Sequence, residues 1–534
     1  MNGRSKLRIF FFDHLYLLSL LLFFILAVIL VNPIGNFPLN DDFQYAYAVD
    51  QLWETGVFSL GHRISPNIFL QVSWGYLWTL LTGSVDYTTL RCSTLFAACI
   101  SLFYTFRTLQ LLSGNEVQSF LLTLVFGFTP VFFLSAFSFM TEIPFIAAVS
   151  ASLYYYLSFI HSGIQRDRLF GFLTAIAALL IRQPGILIIL CFEGWFIWTM
   201  KDVRKWMGLG YLVAAIVVYA AVELFIKSSP NLASYYESVG YEYLRTFGQR
   251  PIDFLYLQLK YGGYLLIMCG FYFLPILPPL LHDLRNQISH FKRWIALAIT
   301  ISVCISILLP HLGHTFPYNG SIFRNFSLGV PLLADYYWGD QVLPSLPNVL
   351  LYQFAFMSIF SAIIIGMVIW QRRNQSEVQL LLLTATAYQI IMSIFSYTDR
   401  YILWPLLFLG LIIAKMNISL RRSWPLSLPA LCLLIFISIA GTRDYLTWNR
   451  IIMHKYQEMI AEGMPTAKID AGTPINAHFG QLDPGPVKAA TRIFAFTKNP
   501  DLVVVDSLPF FRYLSMEFDQ IYILGMEHRD IPNE

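Results

Sequence analysis

The sequence predicts an all-α polytopic membrane protein with about 13 transmembrane helices. Of its 534 residues, 57% are hydrophobic and 13% are charged, whereas about a quarter of the residues in a soluble globular chain are charged. The apolar residues also form long blocks, for example at 15–31, 349–370 and 424–440. A helix that crosses the hydrocarbon needs about 20 mostly apolar residues. Because backbone groups in lipid must be paired within their own segment, these blocks are expected to be helices.

Short loops rich in Lys and Arg predict the orientation of these helices. Basic residues precede the first predicted span and follow the fourth, sixth, eighth, tenth and twelfth spans, so that thirteen spans put all of these loops on one side. The positive-inside rule makes that side cytoplasmic. A chance alternation of the basic loops is the alternative interpretation. The predicted spans are 15–33, 88–112, 116–134, 142–160, 169–181, 184–200, 206–227, 262–281, 294–310, 349–370, 378–396, 401–414 and 424–441.

The longer polar segments then fall on the extracytoplasmic side of an inner or plasma membrane. The last of them is expected to be a small α/β domain, because it contains strand-like runs at 502–505 and 520–524. We therefore predict a transmembrane module at 1–441, with its first outer loop at 34–87, and an extracytoplasmic C-terminal domain at 442–534.

The charge and the cysteines exclude some classes of function. The net charge of +3 gives no reason to expect a nucleic-acid partner. All six cysteines fall in or beside apolar blocks, so we expect neither a structural disulfide nor a metal site built from cysteines.

The first outer loop begins with a polar helix that carries two acids. Asn40 is a suitable cap and Gly56 a suitable end. Apolar residues at helical spacing between them predict an interfacial helix that lies along the membrane surface. Asp41 and Asp42 fall in its first turn, where the helix dipole favours negative charge. An ionised carboxylate there could act as a general base, whereas the alternative is that the pair only stabilises the helix.

A membrane span followed by an Asp-Asp pair, then a helix with Tyr and small residues that ends near Gly, resembles the GT-C glycosyltransferases. The closest resemblance is to the protein mannosyltransferase and aminoarabinose-transferase-like group (glycosyltransferase family 39-like). The resemblance implies a GT-C-like fold and places Asp41 on the position of the catalytic base, with Asp42 beside it. The stretch at 62–66 resembles the family's donor-phosphate segment, with one Pro and no Lys, and so makes Arg63 a candidate ligand of the substrate.

The same resemblance singles out residues at three other outer turns. Glu142 follows Thr141 at the start of the fourth span and is the second candidate catalytic acid, although a simple helix cap explains it equally well. Arg182, before Pro184, could bind a lipid phosphate through its forked donors, or could extend to water. The pair Arg400–Tyr401 is a further candidate for binding the substrate phosphate, with a local ion pair to Asp399 as the alternative.

His311 and His314 lie at the outer end of the ninth span and are weak candidates for a metal site. A His-x-x-His pair on a helix can bind a metal ion, but Pro310 and Gly313 argue against a regular helix, so a structural role is the main alternative. The sequence predicts no definite cofactor, and a divalent metal stays an open alternative.

These features predict a glycosyltransferase that moves a sugar from a polyprenyl phosphate to an extracytoplasmic acceptor, with Asp41 as the general base and inversion at the anomeric carbon. The expected partners are the polyprenyl-phosphate-linked sugar, a lipid, glycan or protein acceptor, and membrane lipids. A transporter or flippase of lipid-linked sugars is the alternative from another class, and it would be expected to place charges within its spans. A non-catalytic assembly protein is the third interpretation, for which Asp41 would be expendable.

Overall fold

The structure is a computed structural model, and the residues that it describes up to residue 461 are mostly helical. It describes residues 14–60, 64, 67–201, 203–228, 248, 251–309, 348–394, 399–416, 420–480, 487, 490–499 and 501–525. The α-helices in these ranges are α1 (Leu15–Val31), α2 (Asp42–Thr55), α3 (Phe69–Thr82), α4 (Tyr87–Ser113), α5 (Glu116–Gly127), α6 (Pro130–Ala136), α7 (Glu142–Ser162), α8 (Gln165–Ile181), α9 (Ile186–Thr199), α10 (Lys205–Lys227), α11 (Pro251–Tyr272), α12 (Leu277–Gln287), α13 (Phe291–Leu308), α14 (Asn348–Arg372), α15 (Ser376–Ile394), α16 (Leu403–Ala414), α17 (Leu420–Ala461) and α18 (Thr473–His478).

The described helices are those of an integral membrane protein. Six of them are long and apolar enough to cross a membrane, and the number rises to eight when each of two bent helix pairs is taken as one span. Helix α10 leaves Val213, Ile216 and Val217 more than half exposed, and such an apolar surface suits contact with lipid. Every predicted span coincides with a helix or a bent pair, but the count of thirteen membrane crossings is not confirmed and remains a prediction.

Two predicted spans are each broken into two helices. The span predicted at 116–134 consists of α5 and α6, which meet at 69°, and the span at 262–281 falls on α11 and α12, which meet at 57°. Helix α6 begins at Pro130, and Pro275 lies in the 3₁₀ turn directly before α12. Proline cannot donate a backbone hydrogen bond and its ring clashes with the preceding turn, so the chain turns at these points.

Helix α17 continues well past the end of the last predicted span. It runs without interruption from Leu420 to Ala461, so the predicted domain boundary at 441/442 falls inside a helix. This helix extends from the apolar bundle into the C-terminal part of the chain, and its second half carries the residues that bind the first outer loop.

The C-terminal part holds a four-stranded sheet made of β1 (Ile469–Asp470), β2 (Arg492–Ala495), β3 (Val503–Arg512) and β4 (Glu517–Gly525). The strand order is β1-β2-β4-β3; β1 and β2 are parallel and the other pairs are antiparallel. The predicted strand-like runs at 502–505 and 520–524 fall on β3 and β4. Trp448 of α17 packs edge-on against Phe496, with ring centroids 5.5 Å apart, so the sheet joins the same apolar core as the helices.

Candidate active site

Asp41 lies at the N-terminal boundary of α2 and is paired with an arginine 359 residues further along the chain. The Nη2 atom of Arg400 donates to Oδ2 of Asp41 over 3.2 Å. The Asp41 side chain is 42% exposed, whereas that of Arg400 is only 14% exposed. Arg400 belongs to a single 3₁₀ turn, Asp399–Ile402, and its backbone N–H donates to Asp399. The guanidinium group is thus directed at the first outer loop.

Glu142 joins this pair to a second arginine. Its Oε1 atom accepts a hydrogen bond from Nη1 of Arg182 over 2.9 Å and lies 3.4 Å from Nε of Arg400. Thr141 precedes α7 but makes no side-chain capping bond, and Glu142 lies in the first turn of that helix. Arg182 is buried, which rules out an arginine extended into water. Two carboxylates and two guanidinium groups therefore form one connected network, with formal charges that sum to zero.

The carboxylates of the network favour the charged form of Arg400. Burial opposes the charged form of Arg400, but the neighbouring carboxylates of Glu142 and Asp41 outweigh it and raise the pKa of Arg400 above its usual value. Oε2 of Glu142 and Oγ1 of Thr141 are buried and make no hydrogen bond among the described residues.

Aromatic rings form one wall of the network. The guanidinium of Arg182 lies 5.0 Å from the centre of the Tyr401 ring, a distance typical of a cation–π contact. Trp404, one turn further along, stacks between Phe145 and Tyr388, with centroid distances of 5.6 and 4.4 Å. This packing fixes the start of α16 and therefore the direction of the turn that carries Arg400 and Tyr401.

Asp42 has a different environment from its neighbour Asp41. It is 1% exposed, its Oδ1 accepts from the Leu39 N–H over 2.7 Å, and its Oδ2 lies 3.1 Å from the Ser138 hydroxyl. Burial raises the pKa of Asp42 to about 7, although the Leu39 hydrogen bond and the charge of Arg91 act in the opposite direction. Asp42 thus holds the loop before α2 against the segment between α6 and α7.

The chain that leads to Asp41 is held by two further arginines. Arg91 of α4 is 1% exposed and donates to the carbonyl groups of Phe37 and Phe137 over 3.1 and 2.7 Å. Arg450 of α17 donates to the carbonyl groups of Asn32 and Ile34 over 3.0 and 2.9 Å. The loop backbone is therefore fixed by bonds from two helices, which leaves little freedom in the position of α2.

The structure brings together most of the residues that the sequence singled out. Asp41, Glu142, Arg182 and Arg400 form one network, and Tyr401 lies against Arg182. Asp42 is adjacent in sequence but binds elsewhere. Arg63, His311 and His314 lie outside the described residues. Within the described ranges, no three His, Cys, Asp or Glu side chains are grouped so as to hold a metal ion.

Arg91, Arg450 and Tyr445 also organise the site, and none of them was predicted from the sequence. Arg91 left a signal, because an arginine inside a predicted span marks a functional or structural contact. Tyr445, whose hydroxyl binds Asn40, left none, since tyrosine is frequent at membrane interfaces.

Comparison with known proteins gives structural similarity alone. No family model matches the chain, and no curated protein matches it. The chain is similar to ArnT from Cupriavidus metallidurans in the apo state, with 13% identity, a TM-score of 0.40, and coverage of 94% of this chain and 97% of ArnT. It is also similar to the same protein bound to undecaprenyl phosphate, with 12% identity, a TM-score of 0.41, and coverage of 95% and 98%.

A third similarity is to the archaeal oligosaccharyltransferase AglB from Archaeoglobus fulgidus in complex with an inhibitory peptide and a dolichol-phosphate. The identity is 12%, the TM-score 0.37, and the coverage 90% of this chain and 61% of AglB. ArnT and AglB are GT-C superfamily members, the superfamily that the first outer loop resembles. TM-scores below 0.5 carry no inference about activity, so the function is inferred from the site.

Proposed function

We propose that this protein is a glycosyltransferase that moves a sugar from a polyprenyl-phosphate donor to an extracytoplasmic acceptor with inversion. One observation carries the proposal. A carboxylate that is 42% exposed, Asp41, is joined through Arg400 and Glu142 to a second guanidinium group, that of Arg182. A base and an anion-binding pair of arginines are the groups that displacement of a phosphate by a hydroxyl requires.

In the proposed reaction Asp41 acts as the general base. Its carboxylate accepts the proton of the acceptor hydroxyl while the acceptor oxygen forms a bond to the anomeric carbon. The bond from that carbon to the phosphate oxygen breaks, and the electron pair leaves with the polyprenyl phosphate. A single displacement from the face opposite the leaving group inverts the anomeric centre. The donor bond supplies the energy.

Arg182 and Arg400 are proposed to bind the phosphate that departs. A guanidinium group has five N–H donors in a planar fork, which suits phosphate oxygens. Negative charge grows on the phosphate as the bond breaks, so fixed positive groups stabilise the transition state more than the ground state. Glu142 holds the two arginines together and neutralises part of their charge before the donor binds. Tyr401 fixes the plane of the Arg182 guanidinium, and Arg63 remains a predicted further ligand of the phosphate.

Asp42 is proposed to position the loop. Both of its carboxylate oxygens are engaged, by Leu39 and by Ser138, and the side chain is buried. A general base must reach the proton that it removes, and the exposed carboxylate of Asp41 meets this condition better.

The transporter alternative receives less support from the buried charges. Arg168 and Glu193 are fully buried and paired, with Nη2 and Oε2 2.5 Å apart, and Arg168 also donates to the carbonyl of Arg204. A pair that satisfies itself in this way joins α8 to α9. It gives no reason to expect a path for a charged substrate. The site network, in contrast, includes a carboxylate that is 42% exposed, that of Asp41.

The proposal can be tested with the full-length protein reconstituted in liposomes. A panel of undecaprenyl-phosphate-linked sugars serves as donors, and a cell-envelope extract serves as acceptor. We expect release of undecaprenyl phosphate together with a labelled glycan, lipid or protein. Asp41→Asn should abolish both, whereas Asp50→Asn, the same change further along α2, should leave them unchanged. Transfer at the wild-type rate by Asp41→Asn would refute the assignment of the base. Movement of labelled donor across the bilayer without a new glycosidic bond would support a flippase.

The orientation of the site is a separate part of the proposal. The positions of the basic loops predict that Asp41, the arginine network and the C-terminal part lie on the extracytoplasmic side of an inner or plasma membrane. A cysteine in place of Gln51, which is partly exposed on α2, should react in intact spheroplasts with a thiol reagent that cannot cross membranes. Reaction only after permeabilisation would place the site in the cytoplasm and contradict the proposed orientation.

A further inference from the structure

The residue before the proposed base has a backbone conformation that needs support. Asn40 has a φ of +53°, in the left-handed region that residues other than glycine adopt infrequently. Its side chain is 4% exposed, and its Oδ1 atom accepts a hydrogen bond from the Tyr445 hydroxyl over 3.0 Å. Because Asn40 directly precedes Asp41, the backbone of Asn40 sets the direction in which the Asp41 carboxylate points.

Tyr445 comes from α17, and its neighbour in sequence binds the C-terminal sheet. The carboxylate of Asp444 accepts hydrogen bonds from the backbone N–H groups of Tyr513 and Leu514 over 2.7 and 2.9 Å, in the turn between β3 and β4. The guanidinium of Arg443 also lies 4.0 Å from the centre of the Tyr513 ring. Asp444 and Tyr445 are therefore consecutive residues of α17 with different partners. Asp444 holds the turn between β3 and β4, and Tyr445 holds Asn40, the residue before the proposed base.

We propose that Tyr445 is a positioning residue, which fixes Asp41 through Asn40 and makes the β3–β4 hairpin part of the working active site. This inference rests on the proposed function of Asp41. The C-terminal part then contributes to catalysis, because its docking through Asp444 determines the position of Tyr445. Arg182 pairs with Glu142, and Arg400 pairs with Glu142 as well as with Asp41, so the donor phosphate should keep most of its binding site when Asp41 is misplaced.

The variant Tyr445→Phe removes only the hydroxyl group and tests the inference directly. In the reconstituted system, with the undecaprenyl-phosphate sugar that the wild type uses best, we expect kcat to fall about tenfold to a hundredfold, because small misplacements of a catalytic group have effects of this size. The KM for the donor should stay within about twofold. Tyr456→Phe is the matched control. Tyr456 is a buried tyrosine of the same helix whose hydroxyl makes no hydrogen bond among the described residues.

A double-mutant cycle separates positioning from a general loss of structure. Asn40→Gly removes the side-chain amide and tolerates a positive φ. If Tyr445 acts through Asn40, the double variant should be no slower than the slower single variant, since coupled residues are not additive. Asp444→Asn, which weakens the docking of the hairpin turn, should also lower kcat with little change in KM. Additive losses, or an unchanged kcat in Tyr445→Phe, would overturn the inference.

Hydrogen–deuterium exchange gives a readout that does not depend on activity. The peptide that covers residues 37–45 should exchange faster in Tyr445→Phe than in the wild type or in Tyr456→Phe, and equal exchange would overturn the inference. If the wild type transfers no sugar from any donor, the proposed function fails. If the wild type is active and Asp41→Asn is inactive while Tyr445→Phe behaves as wild type, only the positioning role fails.

Discussion

Glu142→Gln is the perturbation that most sharply tests the charge network, because this substitution keeps the size of the side chain and removes one negative charge. Glu142 lies 2.9 Å from Nη1 of Arg182 and 3.4 Å from Nε of Arg400. With Asp41 included, the network contains two negative and two positive groups. The variant leaves two guanidinium groups with a single carboxylate, so the formal charge changes from zero to +1.

The burial of these side chains determines the size of the effect. The side chains of Glu142, Arg182 and Arg400 are 4%, 10% and 14% exposed, so water screens their interaction only weakly. Removing one partner from a buried ion pair costs about 3 to 5 kcal/mol, because the remaining charge is left uncompensated. An exposed pair would be expected to contribute about 0 to 1 kcal/mol. We therefore expect Glu142→Gln to lower the free energy of unfolding by about 3 kcal/mol or more.

Equilibrium unfolding of the full-length protein in detergent measures this loss, with Glu54→Gln on the exposed surface of α2 as the control. The double variant Glu142→Gln/Arg182→Gln restores neutrality and should recover part of the stability. Undecaprenyl phosphate should stabilise Glu142→Gln more than the wild type, since an anion can replace the missing carboxylate. A loss below about 1 kcal/mol, with no recovery in the double variant, would refute the buried network.

Three further predictions follow from other contacts. The pKa of Asp42 is raised from 3.8 to about 7 in the folded protein, so the folded state keeps a proton that the unfolded state loses. Roughly 4 kcal/mol of stability should therefore be lost as the pH rises from 4 to 7. In a comparison of unfolding curves at pH 8, Asp42→Asn should be more stable than the wild type. A Cβ atom at Gly270 would lie 2.1 Å from the carbonyl oxygen of Ser358, so Gly270→Ala should cost about 1 to 3 kcal/mol. Gly263→Ala, on the same helix with no atom within 4 Å, should be neutral by the same measurement. Arg400→Lys keeps the positive charge but loses the forked N–H donors of the guanidinium group. Its affinity for undecaprenyl phosphate, measured by titration, should therefore fall less than the affinity of Arg400→Gln. Equal losses of affinity in the two variants would contradict a contribution from the charge.

The helices and part of the sheet could be predicted because their physical causes are local. Hydrocarbon thickness sets the length of an apolar block, and each predicted span accordingly coincides with a helix or a bent pair. The strand-like runs at 502–505 and 520–524 lie on β3 and β4. The bends before Pro130 and Pro275 were missed, although proline marks both positions. The C-terminal end of α17 was not predicted, because the second half of this helix is polar and lacks the apolar run that indicates a membrane span.

The candidate site could be predicted only as a set of separate residues. The resemblance to the GT-C group singled out Asp41, Glu142, Arg182 and Arg400, and no local pattern shows that side chains 359 positions apart share an ion pair. The contacts that hold the loop are harder still. Arg91 and Arg450 bind backbone carbonyl groups, which every residue possesses, so their targets leave no mark in the sequence. Tertiary packing alone determines these pairings.

Chemical rescue with azide tests the central claim most directly, because azide is a nucleophile that carries no proton for a base to remove. In Asp41→Ala, reconstituted with an undecaprenyl-phosphate sugar and sodium azide, the account predicts release of undecaprenyl phosphate and formation of a glycosyl azide with inverted anomeric configuration. Transfer to the cell-envelope acceptor should be absent from the same sample. Transfer to that acceptor at the wild-type rate, or a glycosyl azide of retained configuration, would contradict a single displacement assisted by Asp41.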